Sequence, residues 1–178
     1  LDQSMRSQKH FLADAAHQLK TPLAGLRTQA ELAQRQIDAG ESDPPALKKT
    51  PFRIRADCPA GLVLDTYPGA IYQIVANLVM NSLLHGFRDR AEGRIELDAR
   101  REGDEVVLDY RDDGRGMPEE VRRRIFEPFF TTRRGEGGSG LGMHIVWNLA
   151  TQRLGGTIAC DSEPERGTHF QLRIPAPA

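Results

Sequence analysis

The first forty residues carry apolar side chains at alternating intervals of four and three positions. The positions are Leu12, Ala16, Leu19, Leu23, Leu26, Ala30, Ala33 and Ile37. Such a repeat places its apolar residues along one side of a helix and is typical of helices that pack in a coiled coil or a four-helix bundle. The pattern therefore predicts a helical arm over residues 1–40, which buries its apolar stripe against a second copy of the chain.

Prolines interrupt the helical pattern after this arm. The four that follow are Pro44, Pro45, Pro51 and Pro59. A proline inside a helix removes a backbone donor and clashes with the preceding turn, so a long helix does not fit this stretch. Residues 41–50 are predicted to be a linker, and residues 51–178 a second domain that begins with a strand near Phe52–Asp57.

Helical and strand patterns alternate in the second domain. The first helix is expected to start at a cap formed by Asp65 or Thr66, with Pro68 in its first turn. Helices on one side of a sheet form a two-layer α/β sandwich, which is the predicted fold class. The expected helices are Leu64–His85, Pro118–Ile125 and Leu141–Leu154, and the expected hairpins pair Arg94–Arg100 with Glu105–Arg111 and Thr157–Asp161 with Thr168–Ile174.

Composition argues against several functional classes. The formal net charge is −1, the pI is about 6.6, and basic residues are interspersed with acidic ones, so no nucleic-acid partner is predicted. Cys58 and Cys160 lack CxxC spacing, which disfavours a cysteine metal site and fits a reducing compartment. No apolar run reaches the roughly 18 residues of a membrane span, so no membrane contact is predicted within this fragment.

Five short motifs follow one another along the chain. They are HQLKTP at His17, NLVMN at Asn77, DDGRG at Asp112, FEPFF at Phe126 and GSGLG at Gly138. Their order and spacing resemble the H, N, G1, F and G2 boxes of sensor histidine kinases. The resemblance implies a dimerising phosphoacceptor arm joined to a Bergerat-type ATP-binding domain. It also implies a homodimeric enzyme that uses ATP and Mg²⁺, and a cytoplasmic location, either alone or as the cytoplasmic part of a membrane-bound sensor.

The HQLKTP motif contains the candidate phosphoacceptor. His17 follows the stripe residue Ala16, so it is predicted to lie beside the buried stripe; a histidine at such a place is more often an ordinary surface residue. The H-box resemblance implies instead that its neutral ring attacks the γ-phosphate of ATP and later passes the phosphate to an aspartate on the receiver domain of a response regulator. Gln18 stands where the family usually has an acid, and it can hydrogen-bond the imidazole but is a poor base. Thr21 stands where the family positions a water for dephosphorylating the regulator, although it could be only the helix residue before a proline.

The NLVMN motif places two amides on one face of a helix, because Asn77 and Asn81 are four residues apart. Paired asparagines could simply cap neighbouring strands. The N-box resemblance implies that the Asn81 oxygen coordinates Mg²⁺ and that Asn77 assists, which suits a cation that prefers oxygen ligands. His85 is a candidate phosphate contact by similarity to the NxxxHG variants of chemotaxis kinases.

The remaining candidate residues lie on turns. DDGRG could be an ordinary polar turn. The G1-box resemblance implies instead that Asp112 accepts a hydrogen bond from the exocyclic amine of adenine, while Gly114 and Gly116 let the backbone approach the base. Residues 131–138 are expected to form a short lid that includes the candidate nucleotide contact Thr132. The G2-box resemblance implies that the next turn offers backbone amides to phosphate at a helix N-terminus; its residues are Gly138, Ser139, Gly140, Leu141 and Gly142.

The chain differs from the family directly after the arm. Histidine kinases place a second long helix there to complete an antiparallel hairpin, and no such helix fits the linker. Two alternatives therefore stay open. One is another ATPase of the same superfamily, which the HQLKTP motif and the short lid disfavour. The other is a nucleotide-binding module or truncated core that holds ATP without phosphorylating itself, and the missing helix keeps this alternative open.

Overall fold

The computed structural model describes residues 52–132 and 139–176 of the 178-residue chain. The arm, the linker and the candidate phosphoacceptor residues His17, Gln18 and Thr21 lie outside the described residues, as does Gly138. Across the described ranges, no helix combines the length and the apolar character needed to span a membrane.

A five-stranded sheet forms one layer of the fold. In space the strands follow the order β1-β2-β3-β5-β4, with β1 parallel to β2 and every other neighbouring pair antiparallel. Both predicted hairpins and the first strand are confirmed. The strands are β1 (Phe52–Asp57), β2 (Gly93–Glu102), β3 (Glu105–Asp112), β4 (Thr157–Ser162) and β5 (Thr168–Pro175).

Helices form the second layer on one face of this sheet. They are α1 (Pro68–Asn81), α2 (Glu119–Arg124) and α3 (Gly142–Asn148), and π-helical turns extend α1 over Ser82–Gly86 and α3 over Leu149–Arg153. The core between the layers joins Ile74 and Leu78 of α1 and Val146 of α3 to Ile95 and Tyr110 of the sheet. The observed architecture is therefore the predicted two-layer α/β sandwich.

The predicted start of α1 was wrong. The helix begins at Pro68 rather than at Leu64, and neither Asp65 nor Thr66 caps it. Tyr67 occupies the cap position with an extended backbone and no side-chain cap bond. A proline disfavours helical geometry in the residue before it, while its own fixed φ suits the first helical position. Pro68 therefore sets where the helix starts.

A buried carboxylate lies on the sheet face opposite the helices. Asp109 of β3 is only 1% exposed, and it accepts hydrogen bonds from Arg100, His169 and Gln171. Burial by itself would raise the pKa of Asp109, but these hydrogen bonds outweigh burial and lower the pKa to about 2. Long charged side chains thus cover the outer face of the sheet and hold an ionised acid beneath them.

Candidate functional site

The candidate site centres on Asp112, the last residue of β3. This carboxyl is 8% exposed. Its Oδ2 accepts a hydrogen bond from the Ser82 hydroxyl at 2.6 Å, and its Oδ1 accepts one from the Gly114 amide at 2.9 Å. Burial raises the pKa of Asp112, and the bonds from Ser82 and from the backbone amides of Gly114 and Thr168 oppose that rise. The predicted adenine-reading carboxylate is therefore buried and held by hydrogen bonds at both oxygens.

Two glycines bring the backbone close to this carboxylate. A Cβ built on Gly114 would lie 2.7 Å from Asp112 Oδ1 and 2.8 Å from the Gly86 Cα. The Gly86 carbonyl accepts a hydrogen bond from the Arg115 amide at 2.9 Å. The π-helical turn after α1 therefore packs backbone to backbone against the turn after β3, and a side chain at residue 114 would separate them.

Gly116 has a different neighbour. Its φ is +63°, and a Cβ there would lie 2.0 Å from the Glu163 carbonyl oxygen in the β4–β5 turn. Approach to that turn explains the glycine at this position. The close neighbours of Gly114 are Asp112 and Gly86, so the predicted approach of this backbone to a base stays a prediction.

The two asparagines of α1 lie in different surroundings. Asn77 Nδ2 donates to the Gln73 carbonyl at 2.8 Å, and Asn77 Oδ1 is 3.1 Å from where a Cβ on Gly142 would be. Asn77 thus joins α1 to the start of α3. The Asn81 side chain is half-buried, and within the described residues its amide has no hydrogen-bond partner. Asn81 is therefore the amide that is available to a ligand.

His85 lies on the π-helical turn between Asn81 and Gly86, where it is half-buried. Because Gly86 contacts Asp112 and Gly114, this turn connects the candidate metal ligand to the candidate base reader. The structure thus brings Asn81, His85 and Asp112 to one end of the fold.

The glycine-rich turn leads directly into α3. A Cβ on Gly140, whose φ is +67°, would lie 2.5 Å from the Phe129 carbonyl carbon, so this turn packs on the backbone of the FEPFF segment. Ser139 Oγ accepts a 3.4 Å hydrogen bond from the Leu141 amide, and Gly142 starts the helix beside Asn77. Thr132 is exposed at the last described position before residues 133–138. Residues 139–142 thus lie near α1. No contact among the described residues joins Thr132 to them.

The phenylalanines of the FEPFF segment separate in the structure. Phe126 packs edge-on against Phe170, with ring centroids 6.4 Å apart, and so belongs to the edge of the core. Phe129 is 64% exposed and has a φ of +62°, which is unusual for a residue with a side chain. Phe126 anchors the segment, and Phe129 projects from it.

Ser82 and Tyr110 have roles at the site that the sequence did not predict. The Ser82 hydroxyl bonds Asp112 and lies 2.8 Å from the Tyr110 hydroxyl. The available signal was a single hydroxyl inside an otherwise apolar stripe, which a buried helix face accommodates only with a hydrogen-bond partner.

No cluster of three or more His, Cys, Asp or Glu side chains that could hold a metal ion occurs in the part of the chain that the structure describes. The Asn81 amide oxygen fits Mg²⁺ of the kind that takes one or two protein ligands and otherwise binds phosphate and water.

The family of the chain follows from two matches. The family described as histidine kinase-, DNA gyrase B-, and HSP90-like ATPase matches residues 66–178, which is more than half of the chain. The chain belongs to this family. The His Kinase A (phospho-acceptor) domain family matches residues 7–50. Together the two matches confirm the predicted sensor histidine kinase, and they support ATP as the ligand of the second domain.

Individual relatives agree with this assignment. The chain is 37% identical to the alginate biosynthesis sensor protein KinB of Pseudomonas aeruginosa over 153 residues, covering 86% of this chain and 24% of KinB. It is 29% identical to the sensor protein TorS of Escherichia coli (strain K12) over 231 residues, covering 98% of this chain and 24% of TorS. The solved catalytic domain of histidine kinase ThkA matches with a TM-score of 0.58 and 29% identity, over 70% of this chain and 77% of that domain. The chain thus spans about a quarter of the length of these two curated relatives.

Proposed function

We propose that the chain binds Mg²⁺-ATP at the Asp112 end of the sandwich, transfers the γ-phosphate to His17, and passes it to an aspartate on the receiver domain of a response regulator. We also propose that two copies pair through residues 1–40 and that the reaction takes place in the cytoplasm. The observation that carries the proposal is the Asp112 carboxylate, which is buried and hydrogen-bonded at both oxygens.

The acceptor capacity of Asp112 supports adenine as its ligand. An ionised carboxylate offers about four lone-pair positions and donates nothing. Donors from Ser82 and Gly114 occupy two of these positions. A position that is left suits an N–H donor such as the exocyclic amine of adenine, whereas a carbonyl at the same place would meet a second acceptor.

The asparagines of α1 support Mg²⁺ beside the phosphates. Among the described residues the Asn81 amide has no hydrogen-bond partner, while the amide of Asn77 is bonded to its own helix. We assign Asn81 as the protein ligand of the ion, and Asn77 and His85 as residues that shape the phosphate end of the pocket. When bound, Mg²⁺ would neutralise charge on the transferring phosphate, and the turn at residues 138–142 would offer backbone amides to phosphate oxygens.

The phosphoryl transfer would use His17 as the nucleophile. A lone pair on the imidazole forms the N–P bond, and the bond to the leaving oxygen breaks as ADP departs with that electron pair. Gln18 would orient the ring by hydrogen bonding, and the ring proton would pass to solvent because Gln18 is a poor base. Thr21 would position a water when the partner regulator is dephosphorylated.

Labelling with γ-³²P-ATP tests the kinase activity. The wild-type chain is expected to acquire acid-labile, alkali-stable label, as a phosphohistidine does. His17→Gln should abolish the label, and His10→Gln, which removes a histidine from the same arm, should retain it. Label that persists in His17→Gln would show that the acceptor is another residue.

A nucleotide-binding module without autokinase activity is the second candidate function. The TorS alignment runs over 231 residues, more than the 178 in this chain, so TorS has residues within the match that have no counterpart here. A missing helix directly after the arm would account for part of this difference. Calorimetric binding of ATP together with no label on His17 would favour the module. Light scattering of the intact chain would show whether it is a dimer.

A further inference from the structure

A chain of buried hydroxyl groups leads to the candidate base reader. The Tyr110 hydroxyl lies 2.8 Å from Ser82 Oγ, which lies 2.6 Å from Asp112 Oδ2. Tyr110 is 1% exposed and Ser82 is 3% exposed. Tyr110 belongs to the same strand as Asp112, whereas Ser82 comes from the turn after α1, so the chain of hydroxyls connects the two layers of the fold.

The direction of these hydrogen bonds follows from the chemistry of the three groups. Burial raises the pKa of Tyr110 well above its ordinary value, so the phenol keeps its proton. An ionised Asp112 can only accept, and Ser82 has a single proton to donate. Ser82 therefore donates to Asp112 and accepts from Tyr110. Both protons point toward the carboxylate, an arrangement in which neighbouring hydrogen bonds strengthen each other.

We propose that Ser82 and Tyr110 are positioning residues that make the pocket selective for purines with an exocyclic amine. This inference rests on the proposed function, because it assumes that Asp112 receives the base. Ser82 fixes Oδ2 while the Gly114 amide fixes Oδ1, so the carboxylate cannot rotate without losing a bond. Its other acceptor positions are therefore held in fixed directions, and a hydrogen-bond donor such as an exocyclic amine satisfies them, whereas a carbonyl does not.

A neutral carboxyl would behave differently at this place. It could donate its proton to a carbonyl and would lose its preference for an amine. The bond from Ser82 favours the ionised form against burial, which favours the neutral form. Ser82 and Tyr110 thus influence recognition of the base by favouring the ionised form of the Asp112 carboxyl and by fixing its orientation.

Calorimetric titration of the intact chain with two nucleotides in Mg²⁺ tests this inference. One is ATP, and the other is purine riboside triphosphate, which lacks the exocyclic amine. The variants are Ser82→Ala, Ser82→Cys, which keeps the shape of the side chain but is slightly larger and has only a weak donor, and Tyr110→Phe. Thr151→Ala is the matched control, because Thr151 also carries a hydroxyl on a π-helical turn after a helix, and it bonds only locally, to the Trp147 carbonyl and the neighbouring Gln152.

Ser82→Ala and Ser82→Cys are expected to weaken ATP binding about tenfold, the effect of one hydrogen bond to a charged group. The affinity for purine riboside triphosphate should change less than twofold. Tyr110→Phe should weaken ATP binding about threefold, because Ser82 keeps its own donor, and Thr151→Ala should match the wild type.

Three results would overturn the inference. If the Ser82 variants bind both nucleotides more weakly to the same extent, Ser82 has a purely structural role. If they bind ATP as the wild type does, Ser82 has no role in binding. A wild-type chain that binds the two nucleotides equally would show that Asp112 does not read the amine, while leaving ATP binding intact. A wild-type chain that binds neither nucleotide would refute the proposed function itself.

Discussion

Gly114→Ala tests whether the site depends on the backbone contact between two turns. The added methyl group would lie 2.7 Å from Asp112 Oδ1, 2.8 Å from the Gly86 Cα and 2.9 Å from the Gly86 carbonyl carbon. All three distances are too short for a carbon contact, and two of the three atoms belong to backbone. The turns must therefore move apart, and the hydrogen bond from the residue 114 amide to Asp112 would lengthen or break.

The magnitude follows from these two effects. Inserting a methyl group into a packed site costs about 1–3 kcal/mol, and weakening a hydrogen bond costs about 1 kcal/mol more. We therefore expect the free energy of unfolding to fall by about 2–4 kcal/mol. A domain of ordinary stability, about 5–15 kcal/mol, would still fold, so ATP affinity can be measured on the same variant and should fall at least tenfold.

Urea unfolding followed by circular dichroism measures the first effect, and calorimetry measures the second. Gly69→Ala is the matched control, because it adds the same atoms to the first turn of α1, where nothing lies within 4 Å of the new Cβ. That control should be stabilised by up to about 1 kcal/mol, since alanine favours a helix over glycine. If Gly114→Ala unfolds within about 0.5 kcal/mol of the wild type, the packing described for this turn is incorrect.

Three further changes test other parts of the structure. Asn81→Ala should weaken ATP binding at least tenfold in Mg²⁺ but little in EDTA; an equal loss in both conditions would remove Asn81 as the metal ligand. The wild type should be more stable than Asp109→Asn, and this difference in unfolding free energy should shrink by about 2 kcal/mol as the pH falls from 5 to 2. The reason is that the pKa of Asp109 is about 2 in the folded protein, below the ordinary 3.8. A difference in urea unfolding that does not depend on pH would contradict this. Ile74 is fully buried, so Ile74→Ala should lower the unfolding free energy by about 3 kcal/mol. Ile54 is 43% exposed, so Ile54→Ala should lower it by less than about 1 kcal/mol. Equal losses in the two variants would contradict the assigned core.

Local patterns in the chain were sufficient to place most of the elements. Alternation of apolar and polar residues predicted both hairpins, and the glycines beside Asp112 and Gly142 marked the turns around the site. These signals are local, since strand period and backbone conformation depend on residues a few positions apart. The predicted start of α1 was wrong because it relied on Asp65 and Thr66 as common cap residues. The restriction that Pro68 places on the backbone of Tyr67 decides where the helix begins.

The sequence by itself determined which side chains are available: a carboxylate at residue 112, amides one helical turn apart, and glycines where two backbones meet. Only the tertiary structure decided which of them act together. Ser82 reaches Asp112 across 30 residues of chain and Tyr110 across 28. No local pattern encodes such pairs, because a hydrogen bond between a helix and a strand depends on how the two layers pack.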